Sequence, residues 1–482
     1  MAKSPYVVIV SFGECPQGIK MKILLVAYDN DSYISVFPLG LAYLASVCRK
    51  AGHEVKIYNQ DVYHWPESHL LDLLNREYFD VIGVGVIAGY YQYRKLLKIS
   101  EAINNAKNRP FYILGGHGPS PEPEYFLKKT EADAVVIREG EVTIIELLKA
   151  LENKEELSSV KGIAFLRDGK CVQTPKRPLI ENIDNIPFPA WDLFPMDHYA
   201  LLREANIKNR ERCMLVVSGR GCKFKCNFCY RMMEGYRTRS PESIIEEIRT
   251  LQKDYTISYI DFQDELLMGS VDRTVELCEK FIKSKIGFRW FCNGRLNYAK
   301  PEVLGLMKNA GCVFINYGIE SLDEKALRTM KKSLTVKQIT TGIESTLAAG
   351  ISPGLNIIFG NIGETEDSLK RDVEFLLKYD DHTQLRTIRP VTPYPGCPLY
   401  YYAIEKGLLK DCEDFYENKH INSDLLSVNF TDLSNEEIHK LLYQANTKLL
   451  EKYFSVQLKI SRENARKLYL EKDASFRGFR QT

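Results

Sequence analysis

Met214-Leu-Val-Val-Ser218-Gly-Arg-Gly-Cys222-Lys-Phe-Lys-Cys226-Asn-Phe-Cys229 is the stretch on which the reading of this chain turns. A short apolar run, the length of a strand, enters a Gly-containing turn and then three cysteines within eight residues. Twelve cysteines in 482 residues do not make a disulfide scaffold, and the other nine are scattered, so the grouped thiols point to a metal. Three thiolates on one loop can hold three irons of a 4Fe-4S cluster and leave the fourth open, which marks a reactive cluster; an electron-storing one needs four ligands. Zinc with a fourth cysteine and a chance grouping of free thiols are the alternatives. Cys213 is the nearest fourth ligand, yet it starts the strand whose far end carries Cys222, roughly 20–30 Å away if extended.

Working outward, strands are expected at 214–218, 259–263, 289–293, 313–319, 354–360 and 387–393. Helical patterns at 242–252, 271–283, 323–330, 336–349 and 366–378 separate them. Six βα units are three quarters of a TIM-type barrel, so residues 211–400 read as a partial (β/α)6 barrel whose chemistry sits at the strand C-termini. Upstream, residues 21–152 alternate buried-type strands (22–28, 54–58, 81–87, 111–116, 134–138) with helices (39–51, 91–105, 142–151). Continuous rather than alternating hydrophobicity means both strand faces are covered, as in a doubly wound parallel α/β sheet. Its ligand would lie among 28–30, 88–91, 115–120 and 139–141, at the carboxyl ends of the strands. Residues 153–210 read as a linker holding a hairpin about Asp168-Gly169 and a Pro/aromatic run from Ile186 to Pro195. Residues 401–482 are helical and charged, either a lid over the barrel mouth or a solvated bundle. The segment before Met21 is a further strand or a loose extension.

Composition narrows the class. With 27% charged and 45% hydrophobic residues the chain is globular rather than disordered, and Lys+Arg of 65 against Asp+Glu of 63 leaves +2, so no charge-driven affinity for nucleic acid or an anionic membrane is expected. Apolar runs such as 6–12 and 81–88 fall far short of the ~20 residues that span a bilayer. The N-terminus has no basic region and cleavage site of signal-peptide form, and the chain reads as cytoplasmic.

Cys-x-x-x-Cys-x-Phe-Cys directly after a strand resembles the radical S-adenosylmethionine enzymes. The resemblance implies that Cys222, Cys226 and Cys229 hold the cluster, that its open iron chelates S-adenosylmethionine, and that Phe228 packs near the adenine. It extends to Asp261-Phe-Gln-Asp264-Glu265, Asn293-Gly-Arg295, Gly318-Ile-Glu320-Ser and Ile357-Ile-Phe-Gly360, which follow successive strands in the family's order. Asp264, Glu265, Asn293, Arg295, Glu320 and Ile357 would thus contact the nucleoside or methionine; carboxylates suit a sugar diol and an ammonium, which are both hydrogen-bond donors. Ahead of this, Pro38-Leu-Gly-Leu-Ala-Tyr-Leu-Ala45, Ala51-Gly-His-Glu-Val55, Leu114-Gly-Gly-His117-Gly-Pro-Ser120 and Arg138-Glu-Gly-Glu141 resemble the cobalamin-binding domain fused to radical domains in one large subclass. Together the likeness covers about residues 21–400. It implies cobalamin contacts at Tyr28, Ala88, Gly89, Gly115, Gly116, His117, Glu139, Gly140 and Glu141. The Asp-x-His-x-x-Gly motif that supplies an axial histidine elsewhere is missing, so cobalamin is expected with its base displaced and without a protein ligand. A nicotinamide site is the competing use of such a fold, but Gly83-x-Gly85-x-x-x-Gly89 lies within the expected third strand rather than after the first.

What the resemblance implies about function follows. An adenosyl radical abstracts hydrogen from an unactivated carbon and methylcobalamin methylates it, which makes the chain a cobalamin-dependent radical methyltransferase acting on an sp3 or otherwise non-nucleophilic carbon. Radical oxidation or ring closure, as in anaerobic magnesium-protoporphyrin ester cyclases, is the enzymatic alternative; a cobalamin- or cluster-binding sensor is the non-enzymatic one. Partners would be a small-molecule or peptide substrate and an external electron donor such as flavodoxin or ferredoxin. Tyr394 and Cys397, in Pro393-Tyr-Pro-Gly-Cys-Pro-Leu-Tyr400 after the sixth strand, are candidates to line the pocket between radical and corrin.

Overall fold

The computed structural model describes residues 20–29, 36–208, 210–475 and 479. The apolar run 6–12, the rest of the segment before Lys20, and Asn30 of the expected crevice lie outside the described residues.

The first sheet contains β1 (Lys22–Ala27), β2 (Glu54–Asn59), β3 (Val81–Gly85), β4 (Phe111–Gly115), β5 (Ala134–Val136), β6 (Ile163–Arg167) and β7 (Lys170–Gln173), in the order β2-β1-β3-β4-β5-β6-β7. β1 to β5 are parallel; β1, β3, β4 and β5 are buried along most of their length, as their apolar runs require, while the edge strand β2 alternates, with Glu54 and Lys56 exposed. The winding reverses between β1 and β3, where a doubly wound sheet opens a crevice. The hairpin expected in the linker is instead the edge of this sheet: β6 pairs antiparallel with β5, Val135 opposite Ala164. That pairing is non-local, so turn chemistry revealed the hairpin and not its partner. Helices Leu39–Lys50, Tyr90–Asn104 and Glu141–Glu152 stand where the pattern placed them. Pro123–Thr130 does not figure in the sequence reading because its prolines look like loop punctuation, whereas Pro123 opens the helix at its first position.

The second sheet begins with β8 (Cys213–Val216). A two-residue ribbon, β9 (Gly219–Arg220) against β10 (Arg237–Thr238), follows; then come β11 (Tyr259–Phe262), β12 (Arg289–Gly294), β13 (Cys312–Glu320), β14 (Ser352–Phe359) and β15 (Arg389–Pro390). β8 and β11 to β15 are parallel neighbours in sequence order, a partial barrel. The cysteine loop is the excursion between β9 and β10.

One apolar core runs through both sheets, and the Pro/aromatic segment cements it: Phe37 of the first unit meets Trp191 and Phe194, each at 4.9 Å, and Tyr199 at 5.2 Å. The C-terminal region divides into two parts. Residues 398–430 pack onto the helices covering the other face of the first sheet, where Tyr416 stacks on Tyr93 at 4.7 Å and Glu417 pairs with Lys129 at 2.8 Å and Arg94 at 3.1 Å. Helix Asn435–Tyr469 lies along Glu366–Tyr379 outside the second sheet and buries Ile438, Leu442, Ala445 and Leu449 there. Among the described residues no helix is long and apolar enough to cross a membrane.

Candidate active site

The loop from Gly221 to Tyr236 leaves the barrel at the C-terminal end of β8 and is tied to the radical-side sheet through its backbone. Ser218 donates its N–H to Asp264 Oδ1 at 2.6 Å and its hydroxyl to Oδ2, and the Gly221 N–H reaches Glu265 Oε2 at 2.8 Å. Burial pushes the Asp264 carboxyl up to about 6 against these bonds. Both Asp264 oxygens thus help to hold the loop. Asn293 is similarly engaged: it donates to the Asp264 carbonyl at 2.8 Å and accepts from Asn316 at 3.0 Å, and Asn316 accepts from Asn356 at 2.7 Å. This amide chain crosses β12, β13 and β14. The sequence reading missed Asn316 and Asn356, whose only signal is a polar side chain inside a strand.

The thiols sit in a cationic surround. A hydrogen bond from Cys229, with help from Lys332 and Arg295, lowers the Cys226 thiol against burial, while Cys229 is raised by the same bond and Cys222 by burial. Arg295 stacks on Phe224 at 3.4 Å from the ring centroid, bonds the Lys332 and Ser333 carbonyls, and leaves its buried Nε without a partner. Glu320, in the left-handed region at φ 71°, pairs with Lys332 at 2.8 Å. Lys332 also lies 5.8 Å from the half-buried Phe228 ring. Ile357 is buried beside Glu320 in the β13–β14 register. Among the described residues no three Cys, His, Asp or Glu converge tightly enough to grip a single ion. Cys213, the proposed fourth zinc ligand, is buried in β8, its thiol pushed far up by desolvation.

Asn227, between Cys226 and Phe228, uses every polar group it has. Its N–H bonds the Met330 carbonyl at 2.9 Å, its carbonyl accepts from Leu399 N at 2.8 Å, and its amide pairs reciprocally with Asn361 at 3.1 Å in each direction. Gly396, at φ 91°, lets the chain after β15 pass between two neighbours: a Cβ there would stand 2.6 Å from both Pro121 and the Tyr230 ring. Cys397 is wholly buried and its sulfur accepts from Tyr400 N at 3.3 Å, capping helix Pro398–Glu405. Its sulfur thus serves as a helix cap. Tyr394 turns toward the C-terminal segment, 3.4 Å from Ser423 Oγ and edge-on to Phe415 and His420.

Opposite the loop lies the β1/β3 crevice. Tyr28, at its base, accepts from Ile87 N at 3.4 Å, joining the ends of both strands. Ala88 and Gly89 lead into helix Tyr90–Asn104, with Ile87 62% exposed at the rim. Gly116, following Gly115 at the end of β4, has φ 99° and a virtual Cβ only 2.6 Å from the Val86 carbonyl oxygen; a Cβ on Gly118 would stand 3.1 Å from Val86 Cγ1. The exposed His117 between them has its ring 6.3 Å from Tyr230 of the cysteine loop. Gly83 and Gly85 lie inside β3, not in a phosphate-binding turn.

Glu139 and Glu141, at the end of the first domain's sheet, are engaged by arginines of the β9/β10 ribbon. Glu139 pairs with Arg220 and with Arg237, each at 3.0 Å, and Glu141 with Arg220 at 2.5 Å. All four groups are buried or nearly so, and removing one partner from such a set leaves a stranded charge at a cost of about 3–5 kcal/mol. Gly140 caps helix Glu141–Glu152. A contact between distant segments has no local signature, so these carboxylates read as ligand contacts.

Comparison with known proteins agrees with this geometry. The Radical SAM superfamily profile matches residues 216–376 and the B12 binding domain profile residues 29–148. The chain is 32% identical over 401 residues to "Uncharacterized methyltransferase PH0819" of Pyrococcus horikoshii, a match spanning 81% of this chain and 84% of that protein. It is 26% identical over 389 residues to the anaerobic magnesium-protoporphyrin IX monomethyl ester cyclase of Rubrivivax gelatinosus, spanning 78% and 68%. The fold superposes with TM-score 0.71 and 18% identity on the cobalamin-dependent S-adenosylmethionine radical enzyme OxsB with aqua-cobalamin and S-adenosylmethionine bound, over 93% of this chain and 73% of that one. Both profiles follow the order of the two sheets and the relationship to PH0819 spans them together; the chain belongs to the cobalamin-dependent branch of the radical S-adenosylmethionine superfamily.

Proposed function

We propose that this protein is a methyltransferase that uses a 4Fe-4S cluster, S-adenosylmethionine and cobalamin to methylate a non-nucleophilic carbon of a small-molecule or peptide substrate. The observation that carries the reading is the cysteine loop, set beside a Gly-lined crevice of the preceding domain. Three thiols, with Arg295 and Lys332 to balance thiolate charge, fit a cluster that keeps one iron open. Gly116 and Gly118, where a Cβ would foul Val86, keep the crevice wall low, and exposed Ile87 offers an apolar rim; both suit a flat macrocycle. Cobalamin would lie against Tyr28, Ala88, Gly89, Gly115, Gly116 and His117. Phe228, Asn293, Glu320 and Ile357 would border S-adenosylmethionine, while Arg295 and Lys332 hold their positive charge beside the thiols. Bound together, these groups supply hydrogen abstraction and methyl delivery, while the protein orients them and excludes water. The electron donor would be external, of the flavodoxin or ferredoxin kind, and the site of action the cytoplasm.

Ring closure or oxidation is the second reading, favoured by the relationship to the Rubrivivax cyclase. Product analysis of reduced, reconstituted protein separates the two: methyl transfer yields S-adenosylhomocysteine together with 5′-deoxyadenosine, the other route 5′-deoxyadenosine alone. His117 lies outside any Asp-x-His-x-x-Gly motif, and we take it as part of the crevice wall rather than an axial ligand. His117→Ala is therefore expected to leave the base-off cobalamin absorption spectrum unchanged; loss of a nitrogen-ligand signature in the variant would show that it binds cobalt.

A further inference from the structure

We propose that Arg220 and Arg237 are positioning residues: their buried pairing with Glu139 and Glu141 fixes the cysteine loop against the cobalamin-binding domain and thereby sets the registry of the two cofactor sites. The inference rests on the cofactor reading above and concerns groups which that reading leaves without a ligand to bind.

The base of the loop is weak on its own. β9 and β10 pair through only Gly219 with Thr238 and Arg220 with Arg237, and a ribbon of that length has little independent stability. The two register-matched arginines both reach into the first domain. Arg220 donates from Nη1 to Glu139 Oε1 at 3.0 Å and from Nη2 to Glu141 Oε1 at 2.5 Å, with its guanidinium 5.5 Å from the Tyr43 ring. Arg237 takes both oxygens of Glu139, at 3.1 Å and 3.0 Å, and bonds the Ile180 carbonyl. The acceptors are themselves fixed: Glu141 is the first residue of helix Glu141–Glu152, and Glu139 also accepts from Ile180 N at 3.0 Å.

Two carboxylates and two guanidiniums make the set neutral, and the planar Arg fork, which Lys lacks, defines direction as well as distance. At the other edge of the same turn the backbones of Ser218 and Gly221 are held by Asp264 and Glu265 of the radical domain. Both domains thus grip one four-residue turn, and the next residue is Cys222. A shift between the domains would be transmitted to the first thiol of the loop.

The test uses holoenzyme loaded with iron and cobalamin, and reads the microwave-power saturation of the cob(II)alamin EPR signal with the cluster oxidised and then reduced. A reduced cluster at fixed separation speeds cobalt relaxation. Glu141→Gln and Arg220→Lys are expected to keep iron and cobalamin content but lose most of that acceleration. Glu141→Leu with Arg220→Met, which strands no charge, is expected to lose it too while remaining folded. Asp380→Asn breaks a buried pair with Arg386 within residues 211–400 and away from the ribbon, and should leave the acceleration intact, separating registry from stability. Wild-type acceleration retained by the loaded double variant overturns the inference alone. Wild-type protein that takes up no cobalamin overturns the cofactor reading, and the inference with it.

Discussion

Cys226→Ala protein, reconstituted anaerobically, is expected to hold no 4Fe-4S cluster, where the wild type holds about four irons per chain. Each thiolate on the loop occupies one iron, so losing any of Cys222, Cys226 or Cys229 leaves two, too few for a site that already keeps one iron open. Cys226 is the sharpest choice because it accepts the Cys229 thiol hydrogen and feels both Lys332 and Arg295, and Asn227 beside it anchors the loop to three other segments. Iron content and the EPR signal of the reduced protein are the measurements. Cleavage of S-adenosylmethionine should fall to the level of iron-free protein, while Cys213→Ala, in the barrel strand, keeps the cluster. A redox-active cluster surviving in any of the three loop variants would remove that residue from the ligand set.

Gly116→Ala is expected to produce the largest loss in the cobalamin-binding half. The residue has φ 99°, and a Cβ there would lie 2.6 Å from the Val86 carbonyl oxygen and 3.1 Å from its nitrogen, backbone atoms that cannot step aside as a side chain does. Backbone strain costs about 1–3 kcal/mol and overpacking a similar amount, so a stability loss of about 2–6 kcal/mol is expected by chemical denaturation. Displacing the 116–120 loop also lifts the crevice wall, and cobalamin affinity should fall at least about tenfold, equivalent to 1.4 kcal/mol. Gly52→Ala, at a positive φ with open space around it, is the control for conformation without collision. Equal effects at the two positions would show that the collision with Val86 is unimportant.

The sequence was legible where chemistry is local. Apolar runs located the main strands of both sheets to within a few residues, because parallel strands covered on both faces are mostly apolar. The thiol loop was legible because three ligands lie within one turn of chain. What escaped was every feature made by two distant segments. Glu139 and Glu141 sit in a motif at a strand end, where ligand contacts are expected, and only the folded ribbon shows that arginines about 80–100 residues later claim them. Asp264 was placed at the right strand end, but its oxygens turn to Ser218. The helix cap made by Cys397 was not legible either, because it depends on where the sulfur meets the Tyr400 N–H.

The return of residues 398–430 to the first domain has a consequence for biosynthesis. The first sheet is complete when Gln173 has been made, yet the apolar surface around Phe126, Tyr93 and Leu127 is covered only once Leu399, Phe415 and Tyr416 have followed. At translation rates of about 5–20 residues per second, that surface waits on the order of tens of seconds on the ribosome. The nascent cobalamin-binding domain therefore keeps that surface uncovered until the chain is nearly finished. Release of a fragment ending before Pro398 would leave the patch permanently bare and prone to aggregate.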